Sequence, residues 1–133
     1  MSRFVLKDEL QREDYDWGDL RFRCNPPLTG AKHFTVMDVA LGPGSAHAFH
    51  THPDQEEMIV VTSGHIEQWI EREKQTLGPG DSVYIDAGAV HATYNDGSEV
   101  AQLQVVVGPC VGEVGYEVVD VSGEQPWSGL RGG

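Results

Sequence analysis

Short apolar stretches separated by glycine and proline recur along this chain at intervals of about ten residues, the pattern of a sandwich or barrel of β-strands. Long helical periodicity is nearly absent, and 16 Gly and 7 Pro supply the breaks. Leu41-Gly42-Pro43-Gly44 and Leu77-Gly78-Pro79-Gly80 pair proline's fixed φ with glycine's access to positive φ. Asn95-Asp96-Gly97-Ser98 is a further turn signal. The strands expected between such breaks are Leu20 to Cys24, His33 to Leu41, His47 to His52, Met58 to Thr62, His65 to Ile70, Ser82 to Ile85, His91 to Asn95, Val100 to Val107 and Tyr116 to Val121. Neither Gly-Pro-Gly turn reads as a phosphate loop, because neither opens a helix or precedes Lys-Ser or Lys-Thr.

A chain of 133 residues suits one domain. The expected organisation is a polar N-terminal arm over 1–19, a β core over 20–109 and a C-terminal extension over 110–133 that packs through Trp127. Nine Lys+Arg against 21 Asp+Glu give a formal charge of -12, which repels nucleic-acid phosphates and anionic lipid and argues against both as partners. Cys24 and Cys110 allow at most one disulfide, and free thiols in a reducing compartment are expected. With neither a signal-peptide core nor a membrane-length apolar run, the expectation is a soluble, cytoplasmic protein.

Chemistry concentrates in His50-Thr51-His52-Pro53-Asp54-Gln55-Glu56-Glu57 and in His91. Histidines one residue apart face the same side of a strand and can share one ion, and imidazole with carboxylate is the donor set of borderline divalent metals. A carboxylate joins them only if the chain turns, and Pro53-Asp54-Gln55 supplies a turn. Parity does not separate Glu56 from Glu57, because Met58 and Val60 on one face and Ile59 and Val61 on the other are all apolar. His47 has the opposite parity to His50 and is expected at the rim or outside. His33 and His65 suit ordinary edge positions.

The stretch from Gly44 to Gly64 resembles the first cupin motif: Gly44, five residues, His50-Thr51-His52, four residues, Glu57, six residues, Gly64. Gly80, Gly88, His91 and Asn95 resemble the second, with Asp86 where the family usually has proline, a departure at a turn residue. The resemblance implies an all-β, cupin-like double-stranded β-helix, a small jelly-roll barrel with the site inside it. It implies His50, His52, Glu57 and His91 as ligands of one divalent transition metal ion, and so Glu57 over Glu56. Iron, manganese, nickel, copper, cobalt and zinc all suit such a set.

Four protein ligands on an octahedral ion leave positions for a chelating substrate and dioxygen, with Glu57 available as a base. Alternation places Ile59, Val61, Ile66, Gln68, Ile70, Val83 and Ile85 inward. The late strand is open to two readings: Leu103, Val105 and Val107 inward, or Gln102, Gln104 and Val106. Gln68 and Gln104 are candidate substrate contacts. The family's range leaves three functions open: a metal-dependent dioxygenase of a small oxygenated organic compound, an isomerase or lyase working without oxygen, and a non-catalytic ligand-binding or sensing protein. The arm is expected to cover a sheet edge in a homodimer.

Overall fold

The computed structural model describes residues 3–131. Among the described residues, eleven strands form two antiparallel sheets. They are β1 (Arg12–Tyr15), β2 (Gly18–Cys24), β3 (Thr35–Leu41), β4 (Ala46–Thr51), β5 (Glu56–Ser63), β6 (Ile66–Ile70), β7 (Glu73–Leu77), β8 (Ser82–Ile85), β9 (His91–Tyr94), β10 (Ala101–Gly108) and β11 (Val119–Asp120). One sheet has the order β1-β2-β3-β10-β5-β8 and the other β11-β4-β9-β6-β7. The expected all-β jelly roll is present, but the two sheets face one another without closing into a hydrogen-bonded barrel.

Alternation explains the larger sheet. On β3, Thr35, Met37, Val39 and Leu41 are buried while the residues between them are partly exposed, and on β10 Ala101, Leu103, Val105 and Val107 are buried. The apolar side chains among them meet Ile59 and Val61 of β5 and Leu20 of β2 in the main core. The open question about β10 is settled on its apolar face. Gln104 is a correction: it stands on the outer face, its amide on Asp38 Oδ1 at 3.3 Å.

The smaller sheet is covered on both sides. Phe49, Trp69 and Ala92 form a second apolar cluster on its outer face, under Val121, Trp127 and Leu130 of the C-terminal segment. Phe49 is 1% exposed, and its ring packs at 5.6 Å from Trp69 and 5.5 Å from Trp127. Burying a side chain of this size contributes roughly 1.5–3 kcal/mol. A short helix, α1 (Trp127–Leu130), is followed by Arg131, which lies 3.8 Å over the Tyr94 ring and pairs with Glu67 at 2.8 Å and with Asp96. Arg131→Ala is expected to lose about 1 kcal/mol from the cation–π contact and partly exposed pairs, and to lower the thermal midpoint by about 3–5 °C. An unchanged melting curve would mean that the tail docks without it.

Two strands were not expected, β1 and β7. Their sequences, Arg-Glu-Asp-Tyr and Glu-Lys-Gln-Thr-Leu, are exposed almost throughout, and each lies at a sheet edge. Charge on an edge strand discourages pairing with other chains and hides the alternation that marks interior strands. Gly64 shows why its turn takes glycine: φ is +77°, and a Cβ would lie 2.8 Å from the Val100 carbonyl oxygen. No helix among the described residues is long and apolar enough to cross a membrane.

Candidate metal centre

Between the sheets lies a cavity of about 380 Å³. His50 on β4 and His91 on β9 are direct cross-strand partners, so both rings project from the smaller sheet. His52 follows β4 by one residue, and Glu57 projects from β5 of the facing sheet. The ring centroids of His50 and His91 are 4.2 Å apart, those of His52 and His91 5.0 Å and those of His50 and His52 5.1 Å. One ring nitrogen from each of the three lies within 4.8 Å of the others. Glu57 Oε1 is 2.8 Å from His91 Nε2 and 3.4 Å from His52 Nε2.

Each of these histidines is held by its other nitrogen. Nδ1 of His50 donates to the Ala48 carbonyl at 2.7 Å, that of His91 to Ala89 at 3.0 Å and that of His52 to Glu117 at 2.8 Å. A carbonyl can only accept, so each Nδ1 carries the proton and each Nε2 of a neutral ring presents a lone pair. Close as they are, His52 Nε2, His91 Nε2 and Glu57 Oε1 are buried without a hydrogen-bond partner among the described residues. Unsatisfied buried polar atoms cost about 1–3 kcal/mol each, and here they converge. A divalent transition metal ion fits this nitrogen-and-carboxylate donor set and would answer every one of the orphaned atoms.

Electrostatics agree with the packing. Burial, reinforced by His91, pushes His50 down to about 3, so the ring is neutral and ready to act as a donor at ordinary pH. Burial pushes Glu57 upward but is outweighed by His52 and His91, leaving its carboxyl well below the usual range. Burial likewise opposes a proton on His52, yet the neighbouring Glu57 raises it overall.

Glu56, the alternative carboxylate, turns outward and accepts from the Tyr84 hydroxyl. Gln68 is buried, but its carbonyl oxygen accepts from Thr93 at 2.6 Å and its amide donates to the Trp69 carbonyl at 3.2 Å. It does not line the cavity, and neither does Gln104. The walls are instead Leu20, Met37, Val39, Ile59, Leu103 and Val105.

His47 is the third correction, after Gln104 and Gln68. It lines the cavity, although parity placed it at the rim or outside. A bulge in β4 sets His47 opposite Thr93 and His50 opposite His91, so three steps on one strand match two on its partner and bring both histidines inward. Burial lowers its pKa. Gln55 is a buried brace beside the site that carried no signal in the sequence. Only 2% exposed, it donates to the carbonyls of Pro109 at 2.7 Å and Gly115 at 3.0 Å and accepts from the Glu117 N–H at 3.1 Å. It thereby ties the turn between His52 and Glu57 to the segment whose Glu117 carbonyl orients His52. Asn95 of the second motif is a structural brace, donating to the Leu41 and Glu99 carbonyls at 2.9 and 2.8 Å.

Two facing antiparallel sheets with histidines and a carboxylate turned into the space between them define a cupin-type protein. The sequence model of the cupin domain matches residues 37–108, more than half of the chain, and the chain belongs to that family. Protein SchB of Streptomyces halstedii is 28% identical over 108 residues, which cover 81% of this chain and 78% of SchB. A conserved Klebsiella pneumoniae protein with a double-stranded β-helix domain superposes with a TM-score of 0.69 at 25% identity, over 90% of this chain and 99% of its own. The polyketide cyclase RemF of Streptomyces resistomycificus superposes with a TM-score of 0.72 over 96% of this chain and 92% of its own; at 19% identity that likeness concerns the fold.

Proposed function

We propose that this chain is a metal-dependent enzyme acting with dioxygen on a small, largely apolar organic compound that carries a chelating pair of oxygens. The observation that carries the reading is the convergence of orphaned donor atoms from His52, His91 and Glu57, beside His50, at one end of an apolar cavity. His50, His52, His91 and Glu57 would hold the ion, which would supply Lewis acidity and a template for the oxygen pair. Leu20, Met37, Val39, Ile59, Leu103 and Val105 exclude water and grip the apolar body of the substrate. Glu57 is the carboxylate nearest the reacting end, and once loosened from the ion it would accept the proton that an enolisable or phenolic substrate gives up on binding. The expected homodimer belongs to the same reading and would cover the larger sheet's other edge, β8, which carries no charged residue.

A second reading, ring closure without oxygen, is favoured by the match in length and fold to RemF. Anaerobic reconstitution with Fe(II), Mn(II) or Ni(II), followed by oxygen-uptake measurements on β-diketones, catechols and flavonols, is expected to give turnover with at least one pairing. Product formed equally well in a glove box favours the second reading. Absence of turnover with every pairing, with and without oxygen, overturns both.

A further inference from the structure

Within this reading, we propose that His47 is a substrate-positioning residue that selects planar ligands carrying a second polar group beyond the oxygen pair held at the three-histidine end. The bulge in β4 turns His47 into the cavity, yet its ring centroid lies 6.5 Å from that of His50, and it stands outside the cluster of converging nitrogens. The other cavity histidines each spend Nδ1 on a backbone carbonyl. His47 makes only ring contacts among the described residues, so neither nitrogen is committed. An imidazole in that state offers both a donor and an acceptor.

Its surroundings give that freedom a direction. The Trp17 ring stands edge-on to His47 at 4.4 Å and 87°, and Tyr15 stacks behind Trp17 at 4.9 Å and 7°. These contacts hold the imidazole from one side and add flat aromatic faces to the cavity lining. Two other polar groups of the lining already serve protein neighbours: the Thr93 hydroxyl donates to Gln68 at 2.6 Å, and Asp120 accepts from the Ser122 N–H at 2.9 Å, while Tyr116, like His47, makes ring contacts, with Phe22 and His52. A flat ligand with its chelating end at Glu57 and the three histidines runs along apolar side chains and meets an uncommitted ring nitrogen at His47. Hydroxy-aryl ketones with a further hydroxyl on the distal ring have this shape.

The test uses metal-loaded full-length protein and two sets of probes, acetylnaphthols and acetylnaphthalenediols with the extra hydroxyl at each free position of the distal ring. Binding is followed by calorimetry. Wild type is expected to prefer at least one diol over its parent by about 3- to 10-fold, the worth of one hydrogen bond. His47→Phe keeps a ring against Trp17 but removes both nitrogens, and is expected to abolish the preference while binding the parent normally. His47→Gln restores a hydrogen-bonding group and is expected to recover part of it. A preference that survives in His47→Phe, a uniform loss for both probe sets, or a metal-loaded wild type that shows no preference overturns the assignment. Failure of wild type to take up metal, read by elemental analysis before any probe is added, instead overturns the site reading on which the assignment rests.

Discussion

His91→Ala is expected to empty the metal site while leaving the fold in place. His91 is 1% exposed, stands opposite His50 in the sheet and brings its Nε2 to 2.8 Å from Glu57. Disturbing only the hydrogen-bond partner of a ligand typically weakens metal binding by about 10- to 100-fold, so deleting a ligand is expected to exceed about 100-fold. Elemental analysis of protein purified without a metal-chelating column reads the result, with circular dichroism to verify folding. Glu57→Gln should lose the ion as well. Glu56→Gln should keep it, because Glu56 faces outward onto Tyr84. A folded His91→Ala protein with wild-type occupancy would contradict the proposed centre.

The second large effect is expected at Gln55, far from any reacting atom. Gln55→Ala leaves the Pro109 carbonyl and the Glu117 N–H without the partners they have now, while the Gly115 carbonyl keeps the Val111 N–H and the Thr35 hydroxyl. At about 1–3 kcal/mol for each group left unsatisfied, the loss is expected to reach roughly 3 kcal/mol or more after partial relaxation, and the thermal midpoint to fall by about 10 °C. Gln55→Glu is expected to be no milder: a carboxylate cannot donate to either carbonyl, and it buries a charge beside them. The same substitutions loosen the segment that carries Glu117, whose carbonyl orients His52. Metal affinity should therefore fall with stability, by about 10- to 100-fold. A melting curve within about 2 °C of wild type would show that water replaces the side chain at little cost.

Interior strands were legible because burial gives each an apolar run between turns, although β5 is apolar on both faces and β10 allowed two inward sets until the fold separated them. Where that condition fails, the signal fails with it. β1 and β7 are charged edges, and Trp69 on β6 is buried on the side opposite Ile66 and Gln68 because the C-terminal segment covers that face. The resemblance to the two cupin motifs grouped His50, His52, Glu57 and His91, and the fold brings them together. Strict parity failed at His47 because it presumes an unbroken ladder, and nothing in Ala46-His47-Ala48-Phe49 announces the bulge. The amides of Gln68 and Gln104 illustrate a different limit. Pattern suggests which face a polar side chain occupies, but not whether its hydrogen bonds are already spent within the protein.

The donors of the proposed centre come from two layers that meet only in the native state: histidines from the smaller sheet and Glu57 from the larger. In an unfolded chain only His50 and His52, with Glu57 a few residues on, remain close enough to chelate together, and His91 is lost to the set. An ion would thus distinguish the assembled molecule from its precursors and act as a ligand of the folding reaction, worth about 2.7 kcal/mol at a hundredfold excess over its dissociation constant. Maturation would then have an order, with the sheets closing first and the ion locking them together afterwards.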